Sequence, residues 1–238
     1  LTQATGYEDV GMTSRFMAAV KRGLLQVHYQ PVMNANNPGR VVGVEALARW
    51  HDDEYGWVSP ASFIPLAENL GLINEVGRQV LEQALHHFSQ CSGASAGLKL
   101  AVNISKRQLM SEDFYPMLLG MVQEFGLSPG QIKLEITESI ALHGIEVAKG
   151  YLQKLSDAGF ALSLDDFGTG FSSLSHVHEL PFDEIKIDIS FVRRIKTPEG
   201  RVLVKTIVEM AHAMQLSLVA EGVEDHETAL ILQGMGVE

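Results

Sequence analysis

The feature that most constrains the fold of this chain is a regular alternation of short apolar segments with longer helical patterns. Seven segments have the pattern of strands, and they lie near residues 25–33, 41–49, 98–105, 132–138, 161–166, 184–189 and 216–221. Helical patterns lie between them at 60–70, 73–89, 111–125, 144–158 and 199–214. Because strand–helix units of this kind place successive strands side by side, the alternation predicts one α/β domain with a mainly parallel sheet.

Such a sheet either closes into a barrel or stays open. A closed barrel of eight strand–helix units typically needs about 250 residues. The 238 residues here show seven strands, and an eighth could begin where the sequence stops. An open doubly wound sheet carries a glycine-rich phosphate loop after its first strand, and this chain has none there. The first two strands are joined too briefly for a helix, so one of them is expected to be antiparallel.

Composition and charge exclude several classes of protein. The net charge of −11 is unlike a basic surface that coats nucleic acid, so no DNA or RNA polymer is expected as a partner. No apolar run approaches the roughly 18 residues of a membrane span. The single cysteine, Cys91, fits a reducing compartment. We therefore expect a cytoplasmic protein, or the cytoplasmic part of a membrane-anchored one, in which residues 1–11 are the remnant of a linker.

Side chains alternate between the two faces of a strand, so odd-numbered and even-numbered positions lie on opposite faces. Separating the two sets of positions in this way, by their parity, gives the same result in all seven strands. One face is aliphatic, and the other carries a polar residue towards the C-terminal end. A single half-polar strand usually lies at an edge or faces solvent, and an antiparallel sheet with one wet face would give the same pattern. The intervening helices argue against that sheet. In a barrel the polar faces meet at the catalytic C-terminal mouth; the residues expected there are Glu45, Asn103, Glu135, Asp165, Lys186 and Glu221.

A mouth with so many carboxylates requires cations, because the groups cannot all stay ionised in a partly desolvated pocket. Oxygen ligands from Glu, Asp and Asn suit Mg²⁺ or Mn²⁺. No Cys/His zinc spacing is present, and the pair His86-His87 fits the surface of a helix. Two ions about 4 Å apart would clamp a phosphate ester and activate water. Lys186 would orient or help to deprotonate that water, balance charge, or form an ion pair with a carboxylate.

Seven ordered motifs make the chain similar to a known family. They are YQPV (29–32), VEALARW (44–50), AVNIS (101–105), LEITES (134–139), LDDFGTGFSSL (164–174), LPFDEIKIDISFV (180–192) and VAEGVE (219–224). Through them, residues 12–238 resemble the bacterial EAL domain. The resemblance implies a modified TIM barrel with an antiparallel first strand. The last strand is missing here, because the sequence stops before the family's QGY-like string; LQGMG at 232–236 fits the end of a helix instead.

The resemblance implies a phosphodiesterase that hydrolyses the second messenger cyclic di-GMP to linear pGpG. Many relatives have lost the motif residues and only bind the dinucleotide, whereas this chain keeps them, which favours an enzyme over a receptor module that signals to a partner. An unrelated metal-dependent barrel hydrolase would require the motif matches to be coincidence. The family often dimerises near the LDDFGTGFSSL loop, so we expect a homodimer, with a sensor or cyclase domain upstream in the full-length protein.

The resemblance also implies roles for individual residues. One metal would be held by Glu45, Asn103, Glu135 and Asp165, and the other by Asp165, Asp166 and Glu221. The catalytic residues would be Lys186, Glu45, Asp165 and Asp166, and the substrate contacts Gln30, Leu47 and Arg49. Glu138 would hold the DDFGTG loop in place, and Glu224 would either support that loop or lie on the surface. Asp166 has the outward parity, but backbone rotation where the strand gives way to a turn can swing it towards the second ion.

Overall fold

The structure, a computed structural model, describes residues 10–91, 97–138, 145–168 and 177–237. Its strands are β1 (Gln26–Asn34), β2 (Asn37–Asp52), β3 (Gly56–Val58), β4 (Lys99–Asn103), β5 (Ile132–Thr137), β6 (Ala161–Phe167), β7 (Glu184–Ile187) and β8 (Ser217–Ala220). Its helices are α1 (Val10–Lys21), α2 (Pro60–Asn69), α3 (Ile73–Gln90), α4 (Lys106–Leu109), α5 (Phe114–Glu124), α6 (Ile145–Asp157), α7 (Ile189–Val192), α8 (Pro198–Ala213) and α9 (His226–Met235). None of these helices has both the length and the hydropathy of a membrane span.

The strands form one sheet in the order β1-β2-β4-β5-β6-β7-β8, with β3 paired to β2 outside this path. β1 runs antiparallel to β2, and from β2 onwards the neighbours in the path are parallel. The predicted α/β sheet with an antiparallel first strand is therefore confirmed. β1 and β8 are the two edges, and no strand of the described residues joins them. The helix that follows β8 nevertheless reaches the first strands, since Gln233 Nε2 of α9 lies 3.3 Å from Asn36 Oδ1 in the β1–β2 turn.

Capping residues account for several of the helix boundaries. The Ser59 side chain accepts from the Ala61 N–H at the start of α2, and the Thr197 side chain accepts from the Gly200 N–H at the start of α8. In each helix a proline occupies the first turn. The backbone N–H groups there have no partner within the helix, so the N–H that proline lacks costs no hydrogen bond. α9 ends at Met235 and is capped by Gly236, whose φ of 98° is a left-handed conformation that glycine adopts without strain. The LQGMG segment is thus a helix end, as predicted.

Two of the elements that were not predicted from the sequence, α1 and β3, belong to a second hydrophobic cluster beside the main core. α1 contributes Phe16, which packs edge-on against Trp50 with ring centroids 5.0 Å apart, and also lies beside Phe63. The three-residue strand β3 folds back on the end of β2 and buries Val58 in the same cluster. α1 begins at Val10, while residues 1–9 lie outside the described residues. The domain boundary at residue 12 stays a prediction.

The parity of the strands decides which face is buried by helices. Leu100, Leu134, Leu164 and Ile185 are fully buried on the aliphatic faces of four neighbouring strands. The opposite face carries polar residues in successive layers. In the lower layer Lys133 of β5 forms an ion pair of 2.5 Å with Glu184 Oε2 of β7, across β6. Ser163 of β6 donates to the other carboxylate oxygen at 2.9 Å, so both Glu184 oxygens are satisfied.

Replacing Glu184 by glutamine is expected to destabilise the protein by about 3 kcal/mol, because it leaves the Lys133 ammonium without a counter-charge. Urea unfolding followed by circular dichroism measures the loss. The double variant Lys133→Met/Glu184→Gln removes both charges and should recover most of the stability. A single variant as stable as the wild type would show that this pair does not hold the lower layer.

Candidate active site

One buried ammonium group lies at the centre of the polar end of the sheet. The Nζ atom of Lys186, on β7, lies 2.7 Å from Glu221 Oε1, 3.0 Å from Glu135 Oε2, 3.4 Å from Asp165 Oδ1 and 3.5 Å from Glu45 Oε2. Glu221 directly follows β8, and the other carboxylates come from β5, β6 and β2. The ring therefore forms only when five segments distant in sequence pack side by side.

Asn103, at the end of β4, completes the group. Its side-chain amide donates to Glu45 Oε1 at 2.9 Å and to Glu135 Oε2 at 3.2 Å. All six residues that parity placed at the mouth thus belong to one connected group, in which Lys186 contacts four carboxylates and Asn103 contacts two of them. The roles assigned to them stay predictions.

The charges of this group do not balance, since one ammonium faces four carboxylates. Burial is the main reason why the pKa of Glu135 lies well above its ordinary value, and the neighbouring Glu45 and Asp165 add to the effect against the opposing pull of Lys186. Burial likewise raises the pKa of Glu221. For Lys186 burial acts in the other direction, but the carboxylates, Glu135 first, outweigh it and raise its pKa. Lys186 therefore stays protonated at neutral pH.

Asp166 departs from the regular strand. Its φ of 55° is left-handed, and the pairing of β6 with β7 is irregular between Leu164 and Phe167. Such an irregularity re-aims a side chain relative to strict alternation. Burial raises the pKa of Asp166, and the nearby carboxylates of Asp165 and Asp188 raise it further. Asp166 is thus close to other acidic residues, and the swing of its side chain towards a second ion stays a prediction.

Glu138 is almost fully buried at the end of β5, and its Oε2 accepts from the backbone N–H of Gly168 at 2.8 Å. This bond joins Glu138 to the beginning of the DDFGTG loop; residues 169–176 lie outside the described residues. Glu224 has a different environment. Its side chain is 72% exposed and approaches Arg193 at 3.7 Å, so the structure places it on the surface.

The three expected substrate residues lie around the same mouth. Gln30 pairs with Glu45 in the β1–β2 register, so it shares the inner face. Arg49 is partly buried, and its Nη1 donates to the carbonyl oxygen of Ala48 at 2.8 Å. Leu47 and Arg49 border a cavity of about 720 Å³, whose walls include Ile64, Val76, Asn103 and Thr137. A mixed apolar and polar cavity thus opens beside the carboxylates.

Sequence reasoning did not assign a role to Asp188, although its inward parity was the available signal. Asp188 follows β7 and caps α7 by accepting from the Ser190 N–H at 2.9 Å. Its charge also raises the pKa of Asp166.

The donor set fits hard divalent cations, because it consists of carboxylate and amide oxygens with excess negative charge. In the described residues no three Asp, Glu, His or Cys side chains are already arranged as metal ligands. The carboxylates point instead at the Lys186 ammonium.

Comparison with solved structures shows the same architecture in proteins that bind cyclic dinucleotides. A structure described as the PaMucR phosphodiesterase in complex with c-di-GMP matches with a TM-score of 0.87 and 34% identity, covering 94% of this chain and 92% of that one. The EAL enzyme Bd1971, bound to cAMP and cyclic di-GMP, matches with a TM-score of 0.91 and 33% identity, covering 96% of this chain and 63% of that one.

Sequence comparison gives the same relationship. The cyclic di-GMP phosphodiesterase PdeR of Escherichia coli (strain K12) is 37% identical over 232 residues, which cover 97% of this chain and 35% of PdeR. The chain thus spans about a third of the length of the curated relatives that it matches. The EAL domain model matches residues 14–238. These matches show that the chain belongs to the EAL domain family and has its modified TIM barrel fold.

Proposed function

We propose that this protein is a metal-dependent phosphodiesterase that hydrolyses cyclic di-GMP to linear pGpG. The observation that carries the proposal is the ring of four carboxylates and Asn103 around Lys186 at the C-terminal ends of the strands. This is the end at which barrel enzymes place their chemistry. The name of PdeR and the dinucleotide complexes of similar structures supply the substrate class.

Two Mg²⁺ or Mn²⁺ ions are proposed as cofactors. The residues that would hold them are Glu45, Asn103, Glu135 and Asp165 for one ion, and Asp165, Asp166 and Glu221 for the other. When bound, such ions supply positive charge to the phosphate and acidify the attacking water. Their charge would also offset the excess of carboxylates that Lys186 alone leaves uncompensated.

The residues of the chain supply orientation and charge. Lys186, whose Nζ lies within 3.5 Å of four carboxylates, would orient the attacking water or help to deprotonate it, and would balance charge. Arg49 would bind a phosphate oxygen, for which its guanidinium would leave the Ala48 carbonyl. Gln30 and Leu47 would contact the dinucleotide, and the adjacent cavity offers apolar walls for part of it. Glu138 would hold the start of the loop that carries Asp165 and Asp166.

The direct test is hydrolysis of cyclic di-GMP with Mg²⁺ or Mn²⁺, followed by chromatographic detection of pGpG. Glu45→Ala should abolish turnover, whereas Glu224→Ala, which removes an exposed carboxylate outside the ring, should retain it. Tight binding without turnover in both metals would overturn the enzyme assignment and leave a receptor module.

The metal ions and protons are expected to compete for the same carboxylates. The pKa values of Glu135 and Glu221 are raised above 4.5, so each group stabilises the metal-free fold fully below that pH and loses this contribution as the pH rises through its folded pKa. Metal binding needs the ionised groups. The increase in Tm caused by Mg²⁺ should therefore be larger at pH 8 than at pH 5, as measured by scanning calorimetry. An Mg²⁺ effect independent of pH would contradict this expectation.

We also propose an oligomeric state, an upstream domain and a cellular location for the protein. We propose a homodimer, which sedimentation at several concentrations would test, and an upstream sensor or cyclase domain. The latter is supported by MucR of Pseudomonas aeruginosa, a bifunctional diguanylate cyclase and phosphodiesterase of which this chain covers 34%. A cytoplasmic location is consistent with the exposed free thiol of Cys91.

A further inference from the structure

An aromatic cluster lies at the rim of the mouth, on the inner face of the sheet. In the β2–β3 hairpin Trp57 pairs with His51, and His51 follows Arg49 by two residues on the same face. Two residues of strand correspond to roughly 7 Å. The rings of Trp57 and His51 meet edge to face, with centroids 5.0 Å apart.

The same tryptophan reaches the first strand. Its ring centroid lies 5.3 Å from that of His28, again edge to face. His28 pairs with Leu47, and it precedes the inner-face residue Gln30 by two positions. Trp57 therefore adjoins residues on both strands that carry the expected substrate contacts. Two imidazole rings restrain the orientation of its indole.

Trp57 is unusually exposed for so large an apolar side chain, with 56% of its surface accessible. The other tryptophan, Trp50, is 1% exposed and packs against Phe16 and Phe63 in the core. Single exposed apolar residues are common on protein surfaces. A fixed indole at the mouth of a nucleotide site is different, since purine bases stack on aromatic side chains.

We propose that Trp57, held by His28 and His51, stacks on one guanine base of cyclic di-GMP. The proposal rests on the proposed function and extends it to a residue outside the metal and phosphate contacts. A phosphate bound by Arg49 leaves a base of the dinucleotide free to extend outwards along the inner face, where Trp57 lies. Stacking acts away from the scissile bond, so it stabilises the bound ground state and the transition state alike.

The first test uses the fluorescence of the two tryptophans. Acrylamide should quench Trp57 in the free protein and leave the buried Trp50 unaffected. Cyclic di-GMP should protect Trp57 from acrylamide and change its emission. The measurement is made with the divalent metal chelated or replaced by Ca²⁺, at a concentration at which calorimetry shows the site filled. In Trp57→Phe, the same addition should leave the remaining emission unchanged.

The second test separates stacking from packing. Trp57→Leu keeps an apolar side chain without a ring and should raise KM for cyclic di-GMP about tenfold with kcat little changed. Trp57→Phe keeps a ring and should lose less. Leu230→Ala removes a similarly exposed apolar side chain on α9, 52% exposed, and should leave KM unchanged.

Each proposal has its own contrary result. If the wild type binds cyclic di-GMP while Trp57 stays equally accessible to acrylamide, or if Trp57→Leu has the wild-type KM, the stacking role is wrong and the proposed function stands. If the wild type neither binds nor hydrolyses cyclic di-GMP in Mg²⁺, Mn²⁺ or Ca²⁺, both are wrong.

Discussion

Replacing Asp165 by asparagine is expected to lower kcat/KM for cyclic di-GMP by about 10³-fold, because both proposed ions would lose a shared carboxylate. The side chain keeps its size, and Asp165 Oδ1 also accepts from the Asp166 N–H at 2.9 Å, a bond that the asparagine oxygen can still accept. The fold should therefore persist. Hydrolysis assays measure the loss, and calorimetric titration with Mn²⁺ should show weaker binding of metal.

Asp157→Asn is the matched control for this change. Asp157 ends α6 and accepts from Gln153 Nε2 at 2.8 Å on the exposed side of that helix. Its replacement should leave kcat/KM within twofold of the wild type. Asp165→Asn activity within tenfold of the wild type would refute the bridging role.

Replacing Lys186 by methionine is expected to have a comparable effect on turnover, about 10²- to 10³-fold, and a second effect on stability. The ammonium offsets carboxylates of which Glu135 is almost fully buried. Without it the metal-free protein should lose about 3 kcal/mol, because the acidic groups must either repel one another or take up protons. Urea unfolding measures this loss.

The response of stability to Mg²⁺ is expected to distinguish the proposed metal site from an ordinary buried ion pair. In Lys186→Met, Mg²⁺ should restore part of the lost stability, since the ion supplies the missing positive charge. Lys133→Met is the control, because it breaks the ion pair with Glu184 in the layer beneath and should gain no extra stability from Mg²⁺. Equal Mg²⁺ effects in the two variants would contradict a metal site at the upper layer.

Much of the site was predictable because strand parity is a local property. The alternation along β5 separates Leu134 from Glu135 whatever the rest of the chain does. The same rule applied to β2, β4, β6, β7 and the end of β8 identified the residues that now surround Lys186. The short connection between the first two strands likewise predicted the antiparallel pair.

Elements and side chains whose formation or position depends on residues distant in sequence were harder to predict. α1 is stable because Phe16 finds Trp50, which is far along the chain. Trp57 is placed at the mouth by a hairpin of three residue pairs, too short for a periodic signal. Glu224 shares a motif with Glu221, yet the chain leaves the strand between them and carries Glu224 to the surface.

The sequence by itself determined the order of the elements, the face on which each side chain lies and the residues that would meet at the mouth, because these follow from local periodicity. Only the tertiary structure decided how the charges behave once they meet. The left-handed φ of Asp166 is a departure from the regular strand that local alternation does not predict. The protonation of Lys186 follows from carboxylates on four other segments, whose distances no single strand contains.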